Sequence, residues 1–143
     1  TFKYAYDEKG FHPEGTVNFV DVRDVAKAVV KLVESDIEGE RFVLNAGTLR
    51  YKDFFGKIAT AFGKKPPTKQ VKPWMLSLAV AFEWLRSRFT GKEAMITGDS
   101  AILSRANFHF KNDKIIKALD FEFTPIEESI SWTISELRKK YPL

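Results

Sequence analysis

Few side chains in this 143-residue sequence are suited to acid–base or nucleophilic work, and their spacing narrows the choice further. There is no cysteine, which removes thiol nucleophiles, disulfides and cysteine-bearing zinc sites. Two histidines, His12 and His109, are too few for a histidine-rich metal centre, so no metal ligands are assigned. Neither the GxSxG elbow of a serine hydrolase nor the HExxH of a metalloprotease occurs. Carboxylates pair at Asp21/Asp24 and at Glu127/Glu128, but each pair opens a helical pattern, where negative charge satisfies free N–H groups and the helix dipole. Capping explains them without catalysis. The glycines do not build a phosphate cradle: Gly10 and Gly15 precede the first clear strand, Gly47 stands alone, and Gly91 and Gly98 are too far apart. His12, between Phe11 and Pro13, has the chemistry of a proton donor, although a loop histidine reads first as a surface residue.

The elements that must carry these residues are organised around residues 16–33, TVNFVDVRDVAKAVVKLV. Val17 and Phe19 alternate with Asn18 and Val20, the period of a short strand with one face better buried. Asp21 then caps a helix in which Val22, Val25 or Ala26, Val29, and Leu32 or Val33 form the packing face, with Lys27, Lys31 and Glu34 opposite. Before it, residues 1–15 read as an edge strand with aromatics at 2, 4 and 6, followed by an irregular loop. After it, Phe42, Val43 and Leu44 read as a short strand ending at Asn45-Ala46-Gly47. Tyr51, Phe54, Phe55, Ile58, Ala59 and Phe62 repeat at helical spacing up to Gly63, a helix stop. Residues 71–89 form the most apolar helix, opened by Pro73 and apolar around much of its circumference. This implies deep burial, an oligomer contact or a membrane-surface face; its length and charges rule out crossing a bilayer. Asp99 is a candidate cap before Ala101–Leu103, Phe108 and Phe110 flank an exposed His109 in a short strand, and Asn112 caps a helix with Ile115, Ile116 and Leu119 inward. Thr124-Pro125-Ile126-Glu127 supplies a hydroxyl cap, a first-turn proline and a capping-box glutamate for the last helix, with Ile126, Ile130, Ile134 and Leu137 on one face.

The segment FVDVRDVAKAVVKLVE, with EGERFVLNAG, YKDFFGKIATAFGKKPP, KPWMLSLAVAFEWL and KNDKIIKALDFEFTPIEESISWTISEL following in order, resembles the C-terminal part of extended short-chain dehydrogenase/reductases. The nearest branches are the NAD-dependent epimerase/dehydratase and dihydroflavonol-reductase-like families. The likeness runs through nearly the whole chain. The family's GxxGxxG turn and Tyr-x-x-x-Lys pair are absent, since none of Tyr4, Tyr6, Tyr51 and Tyr141 has lysine four positions later. The resemblance therefore implies one α/β unit over 1–143, α+β-like when isolated, mainly helical with a few short strands and lacking most of the Rossmann sheet. It implies a substrate-binding portion that carries no catalytic or cofactor-binding residues of its own, whose complete parent transfers a hydride with NADP or NAD. Its partners would be the missing Rossmann half and a small-molecule substrate, with Asn18, Arg23 and His12 as pocket candidates. Phenylalanine-rich walls favour an apolar or aromatic substrate over a sugar diphosphate, which needs clustered cations. The strand at 42–44, with most of its sheet missing, leaves an open edge on which copies of the chain can associate.

Composition sets the outer bounds. A hydrophobic fraction of 44%, including thirteen phenylalanines, is ample for one core. The formal charge of +4 is modest, part of it lying in the solvated run Lys64, Lys65, Lys69 and Lys72, and no aromatic-plus-basic motif of a nucleic-acid-binding fold is present. The chain opens on Thr1, with no basic and apolar leader, which predicts cutting or trimming and a cytoplasmic setting. A rival reading is a stand-alone interaction module that presents the 71–89 helix to a protein or membrane surface.

Overall fold

The computed structural model describes residues 1–91 and 105–141. Its elements in order are α1 (Phe2–Tyr6), β1 (Phe11–His12), β2 (Thr16–Phe19), α2 (Val22–Val33), β3 (Gly47–Arg50), α3 (Tyr51–Ala61), β4 (Lys69–Gln70), α4 (Pro73–Thr90), α5 (Asp113–Leu119) and α6 (Ile126–Lys140). The chain is thus mainly helical with a few short strands, as its patterning predicts. Asp99 and Ala101–Leu103 lie outside the described residues.

The strands form two separate ribbons. β1 pairs in parallel with β4, setting His12 opposite Gln70. β2 pairs antiparallel with β3, from Thr16 opposite Arg50 to Phe19 opposite Gly47. The expected strand at 42–44 does not form; the pairing strand is the next segment, β3. No described segment offers a ladder to residues 42–44, and a strand without a neighbour leaves its polar groups unpaired. The expected 108–110 strand is also absent. Its carbonyls are taken by side chains instead: Thr16 Oγ1 and Asn18 Nδ2 donate to Phe108 O, and Asn45 Nδ2 donates to Phe110 O. That segment lies along β2, and all four β2 residues are consequently half-buried rather than alternating.

Two small cores hold the helices. In the first, Ala5 of α1 packs with Phe55, Ile58 and Ala59 of α3 and Ile130 and Ile134 of α6. The N-terminal aromatics, expected on a strand, lie on a helix here. Helical spacing brings Phe2 and Tyr6 together onto Phe62, with ring centroids 6.5 and 5.3 Å away, while Tyr4 packs 5.2 Å from Phe55. α3 stops as expected, with Gly63 in the left-handed region at φ +70°. The second core joins Ala28 of α2 to Ile115 of α5 and to Phe121. Ile116, expected inward, is 38% exposed because α5 turns only Ile115 fully into this core.

The largest departure concerns α2. Of the expected packing face, Val22, Val29 and Val33 are 65, 53 and 80% exposed and Ala26 lies exposed with them, whereas the alternatives Val25 and Leu32 are half-buried and Leu32 packs on the second core. The face turned inward carries Asp24 and Ala28, both fully buried. Asp24 decides this rotation: its carboxylate accepts from Thr124 N at 2.7 Å and from Thr124 Oγ1 at 2.8 Å, fastening α2 to the turn before α6. Thr124 is thereby diverted from the expected capping box, and Pro125 takes the N-cap position of α6. Asn112 likewise precedes α5 without capping it, because its amide donates to Asn45 O at 2.7 Å.

α4 has no fully buried residue. Trp74, Leu78, Phe82, Trp84, Leu85 and Phe89 are between 47 and 82% exposed, so deep burial does not hold for this helix within the described residues. Gly91, at φ +66°, ends it.

Candidate functional site

The three residues expected at a pocket have three different environments. Asn18, on β2, belongs to a polar knot: its Oδ1 accepts from Thr48 Oγ1 at 2.6 Å and from Asn45 Nδ2 at 3.4 Å, and its Nδ2 donates to Phe108 O. With its amide engaged on both sides, it ties β2 to β3 and to the 106–110 segment rather than reaching out to a ligand.

Arg23 stands at the start of α2. Its Nε and Nη2 donate to the two oxygens of Asp21 at 3.0 and 2.7 Å, its guanidinium lies 4.6 Å from the Trp132 ring centre, and Glu128 is 3.5 Å away. These contacts hold α2 against α6. The guanidinium hydrogen bonds hold the Asp21 carboxyl far below the usual carboxylate range, opposed by burial and helped by the Arg23 backbone N–H. Asp21 is both a cap and an anchor, and Arg23 is its structural counter-ion.

His12 differs from the expectation of a surface loop residue. It lies on β1, only 7% exposed, with Nδ1 2.9 Å from Pro13 O. Tyr4 fixes the start of this strand by donating from its hydroxyl to Phe11 O at 2.8 Å, and burial pushes its phenol pKa up. Around His12 opens a cleft of about 370 Å³, lined also by Glu14, Arg50, Lys52, Thr68 and Gln70. Polar side chains dominate its lining. With His12 and Lys52 set against Glu14, and Arg50 already paired with Asp53, the cleft suits a polar, hydrogen-bonding group better than an aromatic ring. Arg50, Lys52 and Gln70 carry no motif that marks them in the sequence. Gln70 reaches His12 only through the parallel pairing of β1 with β4, and Arg50 only through the β2–β3 ribbon and the start of α3. The phenylalanines expected to wall the pocket are largely elsewhere: Phe2, Phe54, Phe55 and Phe62 pack in the first core, and Phe121 and Phe123 in the second.

The residues present do not fit a dinucleotide phosphate. At the junction of β2 with α2, the position a pyrophosphate would occupy over a helix N-terminus is filled by Asp21, whose carboxylate already accepts from Arg23 N at 2.8 Å. A second anion there would meet negative charge. At the junction of β3 with α3, Asp53 lies in the first turn and accepts from Arg50 Nε at 2.9 Å. Neither junction has a glycine turn. Among the described residues, no cluster of three or more potential metal-ligating His, Asp or Glu side chains forms, and no helix is long and apolar enough to cross a membrane.

Fold and site together define a mainly helical unit with both α and β elements and a small polar cleft on one of its two strand ribbons. No protein-family model matches the sequence, and no curated protein does. Among solved structures, the chain is similar to the one described as "Crystal structure of gox2253", with 26% identity and a TM-score of 0.74 over 97% of this chain and 42% of that one. The chain therefore spans less than half the length of the solved chain it matches.

Proposed function

We propose that these residues are the substrate-binding C-terminal portion of an NAD(P)-dependent extended short-chain oxidoreductase of the dihydroflavonol-reductase-like or epimerase-like kind, catalytically inert alone. The observation that carries the proposal is the outward apolar face of α2. Val22, Ala26, Val29 and Val33 form one stripe at helical spacing, with Val30 beside it 54% exposed. An apolar stripe on a helix that already buries its other side is a surface shaped for a further layer of structure. Residues 42–44 add a segment open to strand pairing. In this reading a Rossmann half covers the α2 stripe and extends a sheet to that segment; it binds NADP or NAD and supplies the catalytic tyrosine and lysine. The described chain supplies the His12 cleft for the substrate's polar end. The similarity to part of a much longer chain agrees with this division, and the parent enzyme is assigned to the cytoplasm.

The test uses the chain alone and in combination. Alone, it gives no saturable NADPH or NADH binding by fluorescence titration. Co-expressed with the Rossmann half of an extended reductase, it co-purifies with a complex that binds dinucleotide, and Val29→Asp with Val33→Asp abolishes the complex while leaving the helical circular dichroism intact. Saturable dinucleotide binding by the 143 residues alone overturns the proposal.

The exposure of α4 favours a second reading, in which the chain is an interaction module that works through this helix. Acrylamide quenching tests it directly: in the monomer, Trp74 and Trp84 are open to the quencher. If both are shielded, this reading loses its surface.

A further inference from the structure

We infer that the partner of α4 is an anionic lipid surface. The inference takes the exposed helix from the second reading above, but it does not require that the chain act without a reductase half.

The argument begins with the way the helix is turned. A surface helix in water hides its apolar side and wets its charges. α4 instead turns its largest apolar side chains outward, while Met75, Leu76, Ala79 and Val80 are half-covered. Trp74, Leu78, Phe82, Leu85 and Phe89 recur at spacings of three and four along one outward stripe, each at least 47% exposed. The face carrying the Glu83–Arg86 ion pair, joined at 2.6 Å, is the better covered one, with those side chains 15 and 30% exposed. A helix of 18 residues runs about 27 Å, so the stripe is a long apolar ridge, not a local patch. In water such a ridge is costly, and it signals a surface that receives it.

Charge then selects the surface. Between positions 64 and 90 the sequence holds six cations, Lys64, Lys65, Lys69, Lys72, Arg86 and Arg88, and a single carboxylate, Glu83. Their net charge of +5 exceeds the +4 of the whole chain, so the remainder is slightly acidic. The cations are grouped at the two ends of the ridge, where Lys65, Lys69, Lys72 and Arg88 are all exposed. Bulky Trp, Phe and Leu along the middle with Lys and Arg at the margins is the arrangement of a helix lying in the plane of a membrane interface, rings at the acyl boundary and cations among anionic headgroups. A second copy of the chain would bring two such positive segments together, which disfavours self-pairing through this ridge.

The test is flotation of the purified chain with vesicles of phosphatidylcholine alone and of equal parts phosphatidylcholine and phosphatidylglycerol, read with tryptophan emission. The chain floats with the anionic vesicles only, its emission shifts to the blue, and added salt releases it. Leu78→Glu with Phe82→Glu abolishes flotation. Lys69→Glu with Lys72→Glu, which leaves the ridge intact, weakens it by about tenfold or more. Both pairs lie on exposed positions and keep the wild-type circular dichroism. Three results overturn the inference. One is failure to float although Trp74 and Trp84 are open to acrylamide; this sinks the lipid partner and spares the interaction-module reading. Another is unchanged flotation of the Leu78/Phe82 variant. The third is concentration-dependent self-association that shields both tryptophans, which gives the ridge to a second copy.

Discussion

Replacing Asp24 by alanine is the most direct way to test what turns α2. The side chain is fully buried and accepts two short hydrogen bonds from a residue 100 positions away, Thr124 N at 2.7 Å and Thr124 Oγ1 at 2.8 Å. Removing it takes away both bonds and leaves a backbone N–H and a hydroxyl without those acceptors. A buried group so orphaned costs about 1–3 kcal/mol, which gives at most about 2–6 kcal/mol for the two on half-buried Thr124. Against a total stability of about 5–15 kcal/mol for a domain, that is a large fraction. With a urea slope of about 2 kcal/mol/M, the unfolding midpoint falls by about 1–3 M. Urea titrations followed by far-ultraviolet circular dichroism measure the shift. Thr124→Val removes only the hydroxyl and costs about 1 kcal/mol; in the Asp24→Ala background it costs much less, because its partner is already gone. A loss below about 1 kcal/mol for Asp24→Ala, or full additivity in the cycle, would refute the claim that this pair sets the rotation of α2.

Other outcomes follow from the same contacts. Asp21, held ionised chiefly by Arg23, has a folded pKa below its unfolded one; its contribution is present above about pH 4 and is lost as pH falls toward the folded value. Asp21→Asn therefore lowers stability at neutral pH and flattens the acid limb of a stability-versus-pH curve. Ile58→Ala, at a fully buried position of the first core, costs about 2–5 kcal/mol in denaturant titration. Gly47→Ala places a methyl group 3.1 Å from the Phe19 ring, so the ring shifts and the melting temperature drops, whereas Gly10→Ala, which meets nothing within 4 Å, leaves it nearly unchanged. Gly91→Ala forces a side chain into the left-handed region at φ +66° and frays the end of α4 by about 1 kcal/mol, seen as lost helical signal.

Local physics was legible wherever neighbouring residues settle the matter. The β2–Asp21–α2 junction, the helix of residues 51–62 with its glycine stop, the proline-led α4 and the Ile130/Ile134 stripe of α6 follow from period, capping chemistry and backbone restriction, all within a few positions of chain. What the sequence by itself could not determine is which face of each element turns inward. α2 has two serviceable faces, one lined with valine and one with Asp24 and Ala28, and periodicity favours the valines; the long-range hydrogen bonds to Thr124 reverse the choice. The same holds for the site. Asn18 and Arg23 have the right chemistry for ligand contact, but tertiary partners consume it: Thr48, Asn45 and Phe108 for the first, Asp21 and Trp132 for the second. Arg50, Lys52 and Gln70 look like ordinary surface residues until strand pairing brings them around His12. Composition and spacing determined most of the helices; only the tertiary structure decided which strands pair, which polar groups satisfy one another and which surfaces remain, because a hydrogen bond between residues 100 apart leaves no periodic trace in the chain.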